Sequence, residues 1–129
     1  MSRSIIMHID DAPWNKGGPN KLGGPIERGN QFFGDMELGP WVMINSLNAG
    51  FVSRTHSHGQ DEVIYIIQGG LTTEDGEAHG VGTLIFMETG TEYGFTVGDE
   101  GVRFLNFRRG KEGFRGITYV NEASETFKG

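Results

Sequence analysis

The strongest constraint on this chain is the run 50–69, which has the pattern of a β-hairpin carrying metal-ligand side chains. His56 and His58 stand two residues apart in a stretch with strand composition. Side chains at i and i+2 of an extended strand project from the same face, so both imidazoles can reach one ion. Residues 59–61 have turn composition and return the chain, so that Glu62 begins a facing strand. The run therefore predicts a site with two nitrogens and one carboxylate.

The spacing of this run resembles the first motif of the cupin superfamily, which is Gly, five residues, His-x-His, three residues, Glu, six residues and Gly. All five fixed positions match, at Gly50, His56, His58, Glu62 and Gly69. The resemblance implies an all-β chain folded as a double-stranded β-helix, the jelly-roll or cupin barrel. It also implies a metal near one end of the barrel.

The second cupin motif matches only in part, over residues 82–97. Gly82 and Gly90 are kept, whereas Glu88 replaces a Pro, Tyr93 replaces the fourth ligand histidine and Val97 replaces an Asn. Tyr93 has three possible roles: it binds the metal as a phenolate, it lies beside the ion and transfers a proton, or it packs in the barrel. In the last two cases three protein ligands remain, which is the arrangement of a two-histidine, one-carboxylate centre with open coordination positions.

The length and glycine content favour a single all-β domain. The chain has 129 residues, enough for one core, and 22 of them are glycine. From Gln31 onward, strand and turn signals alternate about every ten residues, as expected for a sandwich or barrel. We predict strands at residues 31–33, 41–47, 51–58, 62–68, 71–74, 82–87, 93–97, 102–108 and 117–120, with a short one at 5–9 also possible. Residues 1–129 form one cupin domain in this interpretation, with 1–30 as an arm or lid and roughly 40–108 as the barrel core.

The remaining composition excludes several classes of site and partner. Without cysteine the chain has no disulfide, thiolate metal site or cysteine nucleophile. A formal charge of −6 disfavours nucleic acid and anionic membranes as partners. No stretch approaches the length of a membrane span or of a signal-peptide core, so a cytoplasmic protein is expected.

The donor set of His56, His58 and Glu62 suits Fe, Mn, Ni or Zn as a divalent ion. Arg54 would share their face if the strand is regular and could pair with a substrate carboxylate, whereas a β-bulge would turn it outward. Glu88 could transfer a proton or be a solvated acid in a turn. The basic residues of the C-terminal third, including Arg103, Arg108 and Arg109, are expected at a solvated rim or a contact between subunits.

Two functions from different classes are compatible with this site. The first is a metal-dependent enzyme acting on a small oxygenated organic molecule, by dioxygenase, lyase or isomerase chemistry, with Tyr93, Glu88 and Arg54 as candidate catalytic residues. The second is a module that binds or senses a small molecule or metal without catalysis. In either case the resemblance implies a homodimer.

Overall fold

The computed structural model describes residues 4–9, 15–16, 28–110, 117–119 and 126–127. Every element bounded within these residues is a strand, so the all-β prediction is confirmed. The strands are β1 (Asn15–Lys16), β2 (Arg28–Gly34), β3 (Trp41–Leu47), β4 (Val52–Ser57), β5 (Glu62–Thr73), β6 (Ala78–His79), β7 (Leu84–Met87), β8 (Tyr93–Arg108), β9 (Ile117–Tyr119) and β10 (Thr126–Phe127). The described part of the chain contains no helix with the length and hydropathy of a membrane span.

All strand pairings are antiparallel and centre on β8. The order runs β1-β2-β3-β8-β4-β9-β10, and β5 pairs with β6, β7 and β8. The C-terminal half of β8 lies between β3 and β5, with Met43 and Ile64 both opposite Asn106. The N-terminal half of β8 pairs with β4, where His56 is opposite Tyr93. One strand thus brings together the two halves of the predicted site.

β5 and β8 are each longer than predicted, because each joins two strands that the sequence separates by a turn. The β5–β8 register jumps from Gly69 opposite Val102 to Leu71 opposite Val97, which leaves residues 98–101 without a matching partner on β5. Gly69 permits this bend: its φ is +68°, and a Cβ at this position would overlap the carbonyl of Gly101. Gly69, the last glycine of the run 50–69, therefore marks the point where β5 and β8 bend together.

The core lies on the inward faces of these strands. Alternate residues of β5 and β8 are buried, as expected for strands with one face toward a core. Ile66 is fully buried at the centre. The buried apolar cluster consists of Leu47, Phe51, Ile64, Ile66, Leu71, Met87, Val97, Val102 and Phe104.

The opposite face of the same sheet carries an apolar row that remains partly exposed. Phe33, Val42, Phe107, Val63 and Phe86 are consecutive register partners across β2, β3, β8, β5 and β7. Phe86 is 63% exposed and Phe107 is 44% exposed. We call these five residues the outer row.

The N-terminal residues differ from the prediction. Residues 4–8 form no strand, and Ile6 is 95% exposed. Ile9 accepts a hydrogen bond from the buried side chain of Gln31 at 3.2 Å, which holds this segment against β2. Most of the predicted arm or lid at 1–30 lies outside the described residues.

Candidate functional site

The two motif histidines lie side by side at the end of β4. Both are buried, and their ring centroids are 4.9 Å apart in an edge-to-face arrangement. The ring of Tyr93 lies 4.5 Å from that of His56 and 5.8 Å from that of His58. The structure therefore places Tyr93 beside both histidines.

A β-bulge immediately before the histidines sets their direction. Ser53 pairs with Phe95 and His56 with Tyr93, so Arg54 and Thr55 together stand opposite the single residue Gly94. Arg54 is therefore out of phase with His56, and the bulged alternative of the sequence analysis applies rather than the regular strand. Gly94 makes room for the bulge, because a Cβ there would lie 2.8 Å from the carbonyl oxygen of Ser53.

The backbone of the bulge also fixes the tautomer of His56. Its Nδ1 lies 2.6 Å from the carbonyl oxygen of Arg54, which can only accept a hydrogen bond. Nδ1 therefore carries the proton, and Nε2 keeps its lone pair. Burial lowers the pKa of His56, against the opposing effect of this hydrogen bond. Burial, with Arg108 and His56 nearby, lowers the pKa of His58 to about 3. Both imidazoles are neutral at pH 7, the form that binds metals.

Glu62, the third residue of the predicted site, is buried in a polar network. Arg108 Nη2 lies 2.9 Å from Glu62 Oε1, and Asn106 Nδ2 donates to the same oxygen at 2.8 Å. The other oxygen, Oε2, accepts a hydrogen bond from the Tyr93 hydroxyl at 3.3 Å and lies 3.6 Å from His58 Nε2. Since His58 is neutral, this last contact is not an ion pair. The carboxylate thus has one oxygen toward Arg108 and Asn106 and one toward Tyr93 and His58.

The structure corrects the expectation for Arg108. It is not at a solvated rim: it is 7% exposed, its Nε donates to Asn106 Oδ1 at 3.0 Å, and its guanidinium lies 5.8 Å from the centre of the Trp41 ring. A buried arginine needs a partner, and Glu62 supplies it. Neither Asn106 nor Arg108 was identified as a site residue from sequence. The available signal was their period-two spacing with Phe104, which places all three on the inward face of β8.

Glu88 lies outside this network. Its side chain is exposed in the turn after β7. That turn borders the site through its backbone, since the Gly90 amide donates to the His58 carbonyl at 3.0 Å. Asp61 ties the same turn to the hairpin by accepting hydrogen bonds from the amide and hydroxyl of Thr89, which lower the pKa of Asp61. A proton-transfer role for Glu88 remains a prediction.

Gln60 is a buried polar residue between His58 and Glu62 in the chain that sequence reasoning overlooked. It is 2% exposed, and both amide atoms lack a hydrogen-bond partner. The Nδ1 atom of His58 is also buried without a partner. Buried polar groups are rarely left unsatisfied, so these atoms are suited to a bound water or polar ligand.

The donor chemistry of the site fits a divalent transition metal. His56 Nε2 keeps its lone pair, and the 3.6 Å between His58 Nε2 and Glu62 Oε2 is wide enough for one ion to contact both atoms. Nevertheless, no three His, Cys, Asp or Glu side chains of the described residues are arranged as a group that could hold an ion. Arg108 and Asn106 instead contact Glu62 through its Oε1 atom.

Solved structures similar to this chain include proteins with different names and activities. An acetylacetone dioxygenase from Acinetobacter johnsonii is 14% identical, with a TM-score of 0.66 over 98% of this chain and 83% of the other. The polyketide cyclase RemF from Streptomyces resistomycificus is 19% identical, with a TM-score of 0.72 over 92% and 86% of the two chains. One chain in the structure of Rhodobacter sphaeroides SigE in complex with the anti-sigma ChrR is 17% identical, with a TM-score of 0.56 over 78% of this chain and 51% of the other. These identities show the fold alone.

Sequence comparison gives the family. No curated protein matches the chain. A family model described as the ChrR cupin-like domain matches residues 2–111, which is most of the chain. This match confirms the resemblance to the cupin superfamily, and together with the similar solved structures it supports a double-stranded β-helix. The chain therefore belongs to the ChrR cupin-like domain family of the cupin superfamily.

Proposed function

We propose that this protein is a metal-dependent cupin enzyme acting on a small oxygenated organic molecule. The observation that carries the proposal is a pair of buried, neutral histidines lying side by side, with His58 Nε2 3.6 Å from Oε2 of the buried Glu62 carboxylate and the Tyr93 hydroxyl hydrogen-bonded to the same oxygen. Fe, Mn, Ni and Zn all suit this donor set. Similarity to an acetylacetone dioxygenase and a polyketide cyclase supports small-molecule chemistry as a use of this barrel.

In this proposal His56, His58 and Glu62 would hold the ion, and Tyr93 would handle a proton. When bound, the ion would supply Lewis acidity and, if it is iron, redox chemistry with dioxygen. The Tyr93 hydroxyl, 3.3 Å from Glu62 Oε2, is positioned to donate a proton at the site or to take one from it. Arg108 and Asn106 hold the carboxylate in place by its other oxygen.

A non-catalytic binding or sensing role is the second candidate. The family match to the ChrR cupin-like domain favours it, as does the similarity to a structure in which the anti-sigma ChrR is in complex with SigE. In that case the same site would bind a metal or small molecule, and a protein partner would respond to it. Bound metal without turnover of any tested substrate would favour this candidate.

Metal content and oxygen uptake test the first candidate. We would measure bound metals by mass spectrometry in freshly purified wild type, in His56→Ala and in a control, His79→Ala, whose histidine lies on β6. The proposal expects metal in wild type and the control, a large loss in His56→Ala, and oxygen uptake with β-diketones or diols if the ion is iron. Wild type without metal would refute it. Iron without oxygen uptake would favour lyase or isomerase chemistry.

We also propose that the outer row is the contact surface of a homodimer. An aromatic side chain buries about 200 Å² when covered. The exposed parts of Phe86, Phe107 and Val63 in the outer row, together with Leu84 two residues before Phe86 on the same face, amount to about 400 Å². This is roughly half of the 800 Å² that each partner contributes to a standard interface. The exposed Ile5 and Ile6, in the segment held against β2 through Ile9, add further apolar area. A second copy fits because the row is uncharged and would face its own equivalent across a twofold axis.

A further inference from the structure

Arg108 occupies the position of a counter-cation for Glu62. Its guanidinium is 2.9 Å from Glu62 Oε1, and both side chains are almost fully buried. A buried carboxylate must be paired with a positive charge or a metal ion, and here the pairing is already made within the chain. Asn106 strengthens it, because its amide group contacts both the carboxylate and Arg108 Nε. The site therefore already holds one cation of its own.

A divalent ion at the histidines would have to share Glu62 with this guanidinium. Oε2, the oxygen nearer His58, lies on the same carboxylate as the oxygen that Arg108 contacts, so the ion and the guanidinium would lie within a few ångströms of each other. Like charges at such distances repel strongly in a poorly hydrated interior. Arg108 also neutralises part of the negative charge of Glu62, which would otherwise attract the ion.

We propose that Arg108 is a built-in competitor of the metal ion for Glu62 and sets the metal affinity of the site at a reduced value. The inference rests on the proposed function, because it presumes that His56, His58 and Glu62 bind a divalent ion. It assigns to Arg108 a role in tuning the site through Glu62, beyond holding the fold together.

Metal binding by Arg108 variants tests the inference. The variant Arg108→Met removes the charge and keeps a long apolar side chain, whereas Arg108→Lys keeps the charge. Arg109→Met is the control, because it removes a neighbouring exposed charge. After removal of metals with a chelator, binding of Zn²⁺ and Mn²⁺ would be measured by equilibrium dialysis. We expect Arg108→Met to bind at least tenfold more tightly than wild type, and Arg108→Lys and Arg109→Met to stay within about threefold of it.

Each outcome decides a different question. Equal or weaker binding by Arg108→Met, with binding intact in wild type, would overturn the inference and leave the proposed function standing. No binding by any variant would refute the proposed function, and the inference with it. If Arg108→Met is unfolded without metal, circular dichroism during Zn²⁺ addition decides instead. Refolding would support the inference, since the ion replaces the lost cation, and failure to refold would overturn it.

Discussion

Glu62 and Arg108 face each other across the β5–β8 ladder, at the start of one strand and the end of the other, with 2.9 Å between Oε1 and Nη2. Removing one charge of a buried pair leaves the other without compensation. We expect Glu62→Gln to lower the free energy of unfolding by about 3–5 kcal/mol in metal-free protein, as measured by urea denaturation. The control Glu77→Gln, at an exposed position, should change it by less than about 0.5 kcal/mol. Equal effects of the two substitutions would contradict this account of the pair.

The stability of the metal-free protein should depend on pH through His58. Its pKa is about 3 in the folded chain and near 6.5 when unfolded, so the unfolded state binds more protons between these values. The free energy of unfolding should therefore rise as the pH increases from about 3 to 6.5. The stability that depends on a neutral His58 is lost as the pH falls through this window. His58 alone would contribute about 5 kcal/mol over the window. Denaturation of His58→Asn at several pH values should give a flatter profile, and an unchanged profile would assign the dependence to other groups.

Alanine substitutions at two glycines with positive φ separate the cost of backbone strain from the cost of steric overlap. Gly69 and Gly76 both have positive φ, at +68° and +87°, but only Gly69 lies against another segment, whereas a Cβ at Gly76 would meet nothing within 4 Å. Gly76→Ala should cost about 1 kcal/mol from the backbone conformation alone. Gly69→Ala should cost at least about 2 kcal/mol more, because the strands must move apart. Thermal denaturation would measure both, and similar losses would show that the β5–β8 bend tolerates a side chain.

Tyr93→Phe distinguishes the three roles left open for this residue. The Tyr93 hydroxyl makes a long hydrogen bond to Glu62 Oε2, and its ring packs against His56. We expect the variant to keep its metal content and its fold, and to lose turnover at least tenfold if the hydroxyl transfers a proton. Loss of metal would instead identify a phenolate ligand. Retention of both metal and turnover would leave packing as the role of the ring.

The homodimer is tested at Phe86, the most exposed residue of the outer row. Phe86→Glu should convert a dimer into a monomer in light scattering at micromolar concentration, because two copies would bring like charges together in an apolar contact. Thr96→Glu is the control, since Thr96 is exposed on β8 and lies outside the outer row. A monomeric wild type would overturn the assignment of the outer row as a dimer contact. Another part of the chain or another protein would then be expected to cover the row.

The sequence predicted those parts of the site that depend on local spacing. His56, His58 and Glu62 are close in the chain, and one turn suffices to bring them together. Arg108 escaped prediction because it is 46 positions from Glu62, and only the register of two long strands brings them into contact. The direction of Arg54 depends on a bulge opposite Gly94, which period-two reasoning cannot locate. Likewise, the turn signals at 69–70 and 98–101 mark a bend within paired strands rather than their ends.

The path of β8 has a consequence for folding. Tyr93 begins this strand and Arg108 ends it, yet both contact the carboxylate of Glu62. A straight strand of that length would hold them about 50 Å apart. The carboxylate can therefore acquire both partners only after the barrel has closed around it. The contacts of this carboxylate therefore require the closed fold, and a probe of the Tyr93 environment would report that closure.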